Sequence, residues 1–162
     1  MPDWQSIVQE HGPAAFNVAW RLLGHAADTE DAVQEALRDA FVLHGREPVT
    51  NWGGLLRHMV TRRAIDRLRR RRPSESISYE PAAPPADQPD AIAIESELAE
   101  RLRRAIAELP DREGSVFALK YFGEMSADEI GVALGISSHA ASEALHKART
   151  RLKRLLNVEQ VE

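Results

Sequence analysis

Cysteine is absent from this chain of 162 residues. That absence excludes disulfides, thiolate metal sites and cysteine nucleophiles together. Long apolar runs are absent too. None approaches the roughly 20 residues that span a bilayer, so no membrane insertion is expected. The amino end, MPDWQSIVQEHG, lacks a basic segment followed by an apolar core and reads as no signal peptide. Strand-type alternation is missing, as are a nucleophile elbow, a phosphate-cradling loop and a carboxylate pair in a catalytic setting, so no enzyme is expected. His25, Asp28 and Asp31 come nearest to a metal set, but carboxylates near a helix start are ordinary dipole complement, and neither metal nor cofactor is expected. With 43% apolar residues the chain can bury real cores. These readings describe a soluble, cytoplasmic, all-α protein.

Charge is present but unevenly spread. The net charge is −4, yet residues 62–73 read RRAIDRLRRRRP. Residues 1–47 carry eight acids against Arg21, Arg38 and Arg46, whereas residues 57–72 carry eight arginines and the single acid Asp66. Residues 73–99 hold six acids and no base, and residues 147–154 (KARTRLKR) hold five bases and no acid. Two basic stripes separated by an acidic connector fit two local sites for a polyanion. Like charges at i and i+4 repel on a helix, so the arginine row is costly unless something neutralises it, and a nucleic acid is the expected neutraliser.

The segment over 73–91, PSESISYEPAAPPADQPDA, is rich in Pro, Ser, Ala and acids and reads as a flexible acidic linker. It divides the chain into two small helical domains, over 1–72 and 92–162. In the first, Pro13 is expected to open a helix that ends at Gly24. Asp28 is expected to cap a second, with Val33, Ala36, Leu37, Ala40 and Phe41 as its apolar stripe. The Gly53–Gly54 pair marks a break before a third helix from about Leu55 to Arg71. In the second domain, helices are expected from Ala91 to Leu109 and from Asp111 to Phe122. Ser126 and Glu129 then stand in capping-box spacing, Gly135 allows a tight turn, and Ser137 or Ser138 caps a long helix. Short helix, glycine turn, second helix is the helix-turn-helix plan.

Four blocks, DTEDAVQEALRDAF, LLRHMVTRRAIDRLRRRR, AIAELPDREGSVFALKYFGEMSADEIGVALGIS and LHKARTRL, occur in this order. In that order the chain resembles the extracytoplasmic-function sigma factors of the sigma-70 family, the two-domain specificity subunits of bacterial RNA polymerase. The resemblance implies that Asp31, Gln34 and Glu35, with Arg38 nearby, dock on the clamp of the polymerase's largest subunit. It implies that Asn51, Trp52, Arg57, His58, Arg62, Arg63, Arg67 and Arg70 grip and help melt the −10 promoter element. It implies that the second domain, through Ser137, Ser138, His139, Ser142, His146, Lys147 and Arg149, reads the −35 element, its later bases also serving the polymerase flap. An anti-sigma factor is a further partner that the resemblance allows.

The chain departs from the family pattern in places. A tryptophan usually precedes the Leu56 position and an asparagine stands near Arg62, whereas here Leu55 and Arg62 stand and the tryptophan is Trp52. An arginine is usual at the position of Gly114, which costs about 1 kcal/mol relative to alanine inside a helix. The recognition helix usually starts close to G-T-V-K-S-R, and here reads His139, Ala140, Ala141, Ser142, Glu143, Ala144. Recognition of the −35 element is therefore expected to be weaker or altered. Two rival readings stand beside the sigma factor: a stand-alone helix-turn-helix regulator, and a polymerase-binding decoy with weak promoter contact.

Overall fold

A computed structural model describes residues 3–71 and 89–156. Every regular element among them is an α-helix: α1 (Trp4–Leu23), α2 (Ala26–His44), α3 (Trp52–Arg70), α4 (Pro89–Ala107), α5 (Asp111–Tyr121), α6 (Ala127–Leu134) and α7 (Ser138–Leu155). Helices α1–α3 form one half and α4–α7 the other. All of the expected linker except its last residues lies outside the described residues.

Three helix starts differ from the sequence reading, each because packing or a cap outweighs local propensity. Helix α1 begins at Trp4 and runs through Pro13. An interior proline costs about 3 kcal/mol. The turns before it are nevertheless held by the Asp3 carboxylate, which accepts from the Ser6 N–H at 2.8 Å, and by burial of Ile7. Trp4 adds edge-on contacts to Phe41 and Trp52, with ring centres 5.4 and 6.1 Å apart. Helix α2 is capped by His25, whose Nδ1 accepts from the Asp28 N–H at 3.4 Å, so Asp28 lies inside the first turn. Helix α3 begins at Trp52, with Asn51 Oδ1 accepting from the Gly54 N–H at 3.0 Å. The two glycines therefore belong to the helix. A Cβ on Gly53 would lie 3.0 Å from the His11 ring, so this glycine serves close packing of α1 on α3.

The first half buries Ala15, Ala19, Val33, Ala36, Leu56 and Val60 around Trp52. The second half has its own cluster of Val116, Leu119, Met125, Ile130, Ala141 and Leu145. A third cluster crosses between them. Val18, Leu22 and Leu23 of α1 and Ile65 and Leu68 of α3 pack with Ile106, Leu109, Ala118, Ala148 and Leu152. The two halves thus share a core.

The helix-turn-helix is built as its local signals require. Ser126 Oγ accepts from the Glu129 N–H at 3.1 Å while the Glu129 carboxylate accepts from the Ser126 N–H at 3.0 Å, completing the capping box. Gly135 ends α6 at φ +72°, in the left-handed region. Ser137 then caps α7, its Oγ accepting from the Ala140 N–H at 3.0 Å. A second glycine sets how closely α7 approaches α6. A Cβ at Gly131 would lie 2.7 Å from the Ile136 carbonyl oxygen. We expect Gly131→Ala to cost about 1–3 kcal/mol, because backbone must shift to admit the methyl group. Urea unfolding of the variant measures this, and a cost below the error of the fit would contradict the close approach.

Candidate nucleic-acid interface

The arginine row on α3 is neutralised from within. Helices α2 and α3 lie antiparallel, and acids spaced along α2 meet arginines spaced four apart on α3. Arg63 donates to Asp39 Oδ2 at 2.5 Å and to Glu35 Oε2 at 3.1 Å. Arg67 hydrogen-bonds Glu35 Oε1 and stands 3.8 Å from both Asp28 and Asp31. Arg71 reaches Asp28 Oδ2 at 3.2 Å and the Leu23 carbonyl at 2.7 Å. The Arg67 hydrogen bond holds Glu35 below the ordinary carboxylate range despite its partial burial. The Asp39 hydrogen bond raises Arg63. This corrects the expectation that the row is uncompensated: Arg63 and Arg67, expected on DNA, are paired with the acids expected on polymerase.

The other candidates for the −10 element divide by position. Trp52 is 4% exposed, inside the core of the first half against Trp4 and His44, which corrects its assignment to a DNA surface. Asn51 is exposed but engaged as the α3 cap. Arg57 donates to the Gly123 carbonyl at 2.5 Å and to Gly53 of its own helix at 3.1 Å. His58 lies half-buried beneath the second half, beside the Ala133 backbone. Arg62 and Arg70 are exposed. Arg62 lines a cavity of about 260 Å³ between the halves, together with His58, Asp66, Arg69, Asp111 and Arg112. Among the described residues Arg70 donates to the Asp66 carbonyl of its own helix, at 3.3 Å.

On α7 the picture is more open. Ser138, His139, Ser142, His146 and Lys147 are all exposed. Four of them, with Glu143, line one shallow cleft of about 420 Å³. His139 Nε2 lies 3.0 Å from Glu143 Oε1, so the acid gained in this helix is met by a residue of the same face. Ser137 serves as the cap. Arg149 is turned to Tyr121, donating to its hydroxyl at 2.7 Å with the guanidinium 5.5 Å above the ring. On α2, Asp31, Gln34 and Arg38 are exposed and share a face with the half-buried Glu35.

Several residues that organise this surface carried no signal in the sequence. Glu100 and Arg103 of α4 are 6% and 7% exposed. They pair at 3.2 Å, and Glu100 also stands 3.6 Å from Arg71. Arg103 donates to the Arg21 carbonyl at 3.0 Å. Arg69 donates to the Ala107 and Leu109 carbonyls at 3.1 and 2.9 Å and to Asp111 at 2.5 Å. Among the described residues no three His, Asp or Glu side chains converge as a metal set. No described helix is long and apolar enough to cross a membrane.

The covered position of His58 gives a pH dependence. Burial first, and then the nearby Arg62 charge, pushes its imidazole below the ordinary value of 6.5, against the Ala133 hydrogen bond. The exposed state takes up a proton more readily than the covered one. Docking of the two halves is therefore at full strength above the ordinary value and weakens as pH falls below it. Asp66 on α3 and Asp111 and Arg112 on α5 face the same cavity. We expect the urea midpoint to fall more between about pH 7.5 and about pH 5.5 for the wild type than for His58→Gln. An equal fall in both would contradict the covered histidine.

Residues 7–73 match the family described as Sigma-70 region 2, and residues 99–152 match Sigma-70, region 4. The chain is 32% identical over 136 residues to the ECF RNA polymerase sigma factor SigF of Caulobacter vibrioides, covering 79% of this chain and 70% of that one. It is 29% identical over 158 residues to the ECF RNA polymerase sigma factor SigE of Mycolicibacterium smegmatis, covering 94% of this chain but spanning 61% of that protein's length. The fold is similar to that of the sigma factor RpoE of Bartonella quintana, solved with the anti-sigma factor NepR. That match has a TM-score of 0.58 at 20% identity and covers 98% of this chain and 99% of that one. With regions 2 and 4 in order along a chain of this kinship, the protein belongs to the extracytoplasmic-function sigma factors of the sigma-70 family, the promoter-recognising subunits of RNA polymerase.

Proposed function

We propose that this chain docks on core polymerase through the exposed face of α2, engages the −10 element with α3 and lays α7 in the major groove of the −35 element. The observation that carries this reading is the arrangement of α7. A capped helix behind a tight glycine turn presents His139, Ser142, His146 and Lys147 on one open face, as a groove-reading helix requires. Asp31, Gln34 and Arg38 are likewise open to a protein partner on α2. On α3 the DNA-facing set narrows to Arg57, His58, Arg62 and Arg70, with Arg63 and Arg67 shared between DNA and the α2 acids. The chain performs no catalysis of its own, needs no cofactor and works in the cytoplasm beside the polymerase. Bartonella RpoE is held by the anti-sigma factor NepR. An inhibitor of that class is a further partner we assign to this protein.

Two features set what the promoter contact looks like. The start of α7 carries the His139–Glu143 pair where a polyanion would prefer bases, so contact there favours base edges over phosphate. Lys147, one turn on, is placed for phosphate. In vitro transcription with core polymerase on a library of random promoters tests the reading. Wild type is expected to start transcripts downstream of a shared motif. Gln34→Ala with Arg38→Ala is expected to weaken polymerase binding about tenfold, equivalent to ~1.4 kcal/mol. Lys147→Ala is expected to weaken duplex binding across all sequences and to lower the salt slope by about 1. Polymerase binding with no enriched motif would replace this reading with the decoy. Duplex binding without any transcription would replace it with a stand-alone regulator.

A further inference from the structure

The buried side of α7 fixes which residues it can offer to a groove. Ala141, Ala144, Leu145, Ala148 and Leu152 are buried. With 3.6 residues per turn, the opposite side carries His139, Ser142, Glu143 and His146, all exposed. Glu143 is the anomaly among them, a carboxylate in the second turn of a helix that would lie between phosphates. Its ordinary partner would be Lys147, because glutamate four residues before lysine is the favourable order for an ion pair on a helix. Instead Glu143 Oε1 lies 3.0 Å from His139 Nε2. Among the described residues no ion pair joins Glu143 to Lys147, and Oε2 of Glu143 has no hydrogen bond. An exposed pair such as His139–Glu143 contributes little to the stability of the helix. Its effect is to occupy one carboxylate oxygen, leave the other as a bare acceptor and keep Lys147 available for phosphate.

We propose that Glu143 is a specificity-determining residue of α7, accepting a hydrogen bond from the N4 amino group of a cytosine in the major groove, and that His139 is the residue that positions it. The inference deepens the reading of α7 as a groove-reading helix and rests on it. The base edges themselves select cytosine. An ionised carboxylate only accepts hydrogen bonds. Guanine presents the acceptors N7 and O6, and thymine presents O4 and a methyl group, so either would leave Glu143 stripped of water without a donor. Adenine offers its N6 amino group beside the N7 acceptor, which repels the second carboxylate oxygen. Cytosine offers its N4 amino group with no acceptor of its own beside it in the groove. By holding Oε1, His139 fixes the carboxylate and leaves Oε2 to meet the base. A carboxylate that finds no amino group is repelled by the phosphates, so the residue rejects wrong bases as well as selecting the right one.

Selection of promoters by core polymerase carrying the full chain, from a library randomised across the promoter, tests this, with the −10 motif as internal reference. Wild type is expected to enrich an upstream motif with a cytosine at one position. Glu143→Gln is expected to replace that cytosine with adenine, whose N6 and N7 a glutamine side chain matches. Glu143→Ala is expected to accept any base there, losing roughly tenfold in discrimination at that position. The other upstream positions and the −10 motif stay as in wild type. His139→Ala is expected to reduce the cytosine preference and His139→Lys to restore it, a change at one base that a merely structural role in α7 would not produce. Both residues are exposed, so the variants keep the buried side of α7. An upstream motif without a required cytosine, or one unchanged by both Glu143 variants, would overturn the inference and leave α7 as the reader. A preference unmoved by His139→Ala would remove the part given to His139. No upstream motif from the wild type would overturn the reading of α7 itself, and the inference with it.

Discussion

Glu35 sits between Arg63 and Arg67, and the organisation of the first half depends on that pairing. Eight arginines within residues 57–72 would repel one another on a bare helix. Asp28, Asp31, Glu35 and Asp39 present a complementary row on the antiparallel neighbour. Single exposed ion pairs contribute roughly 0–1 kcal/mol each. Their weight here lies in cancelling a repulsion that would otherwise oppose α3 along its length. Arginine suits the task because its planar fork bonds two carboxylates at once, as Arg63 does with Asp39 and Glu35.

On the proposed reading this lattice joins the polymerase-docking surface to the DNA-binding one. The acids belong to the face assigned to polymerase, and the arginines to the face assigned to DNA. A polymerase surface that competes for Glu35 weakens its hold on Arg63 and Arg67, and by linkage DNA phosphates that draw off the arginines free the carboxylates. A second layer of restraint comes from α4–α6, which cover Arg57, His58 and Ile65. The open α7 face and the partly covered α3 face are therefore two consequences of one packing arrangement, the core shared by α1, α3, α4, α5 and α7.

Legibility of these features in the sequence tracks the range of the forces involved. The helix-turn-helix was readable because its signals are local: Ser126 and Glu129 cap within one turn, Gly135 supplies the left-handed residue, and Ser137 caps α7. Helix starts are not legible where distant packing outweighs propensity, at Pro13 and at Gly53–Gly54. The partners of Arg63 were hidden because Asp39 and Glu35 lie 24 and 28 residues away in sequence, and only the register of α2 on α3 brings them together. Gly114 stands out in the sequence, but the side chain it comes nearest to, Ile65, belongs to the other half of the chain. Burial of Trp52 is illegible in the sequence for a similar reason, since an indole beside an arginine row fits a nucleic-acid platform as well as a core.

In the free chain Arg63 and Arg67 of α3 are held by the α2 acids, and we propose that they become available to DNA when polymerase competes for those acids. The most direct measurement is the affinity of this protein for a random single-stranded DNA pool, taken as a function of salt, with and without core polymerase. Weak binding with a shallow salt slope is expected for the free chain, and a steeper slope when polymerase is added, beyond that of polymerase alone. Tight, steeply salt-dependent binding by the free chain, unaltered by polymerase, would contradict it.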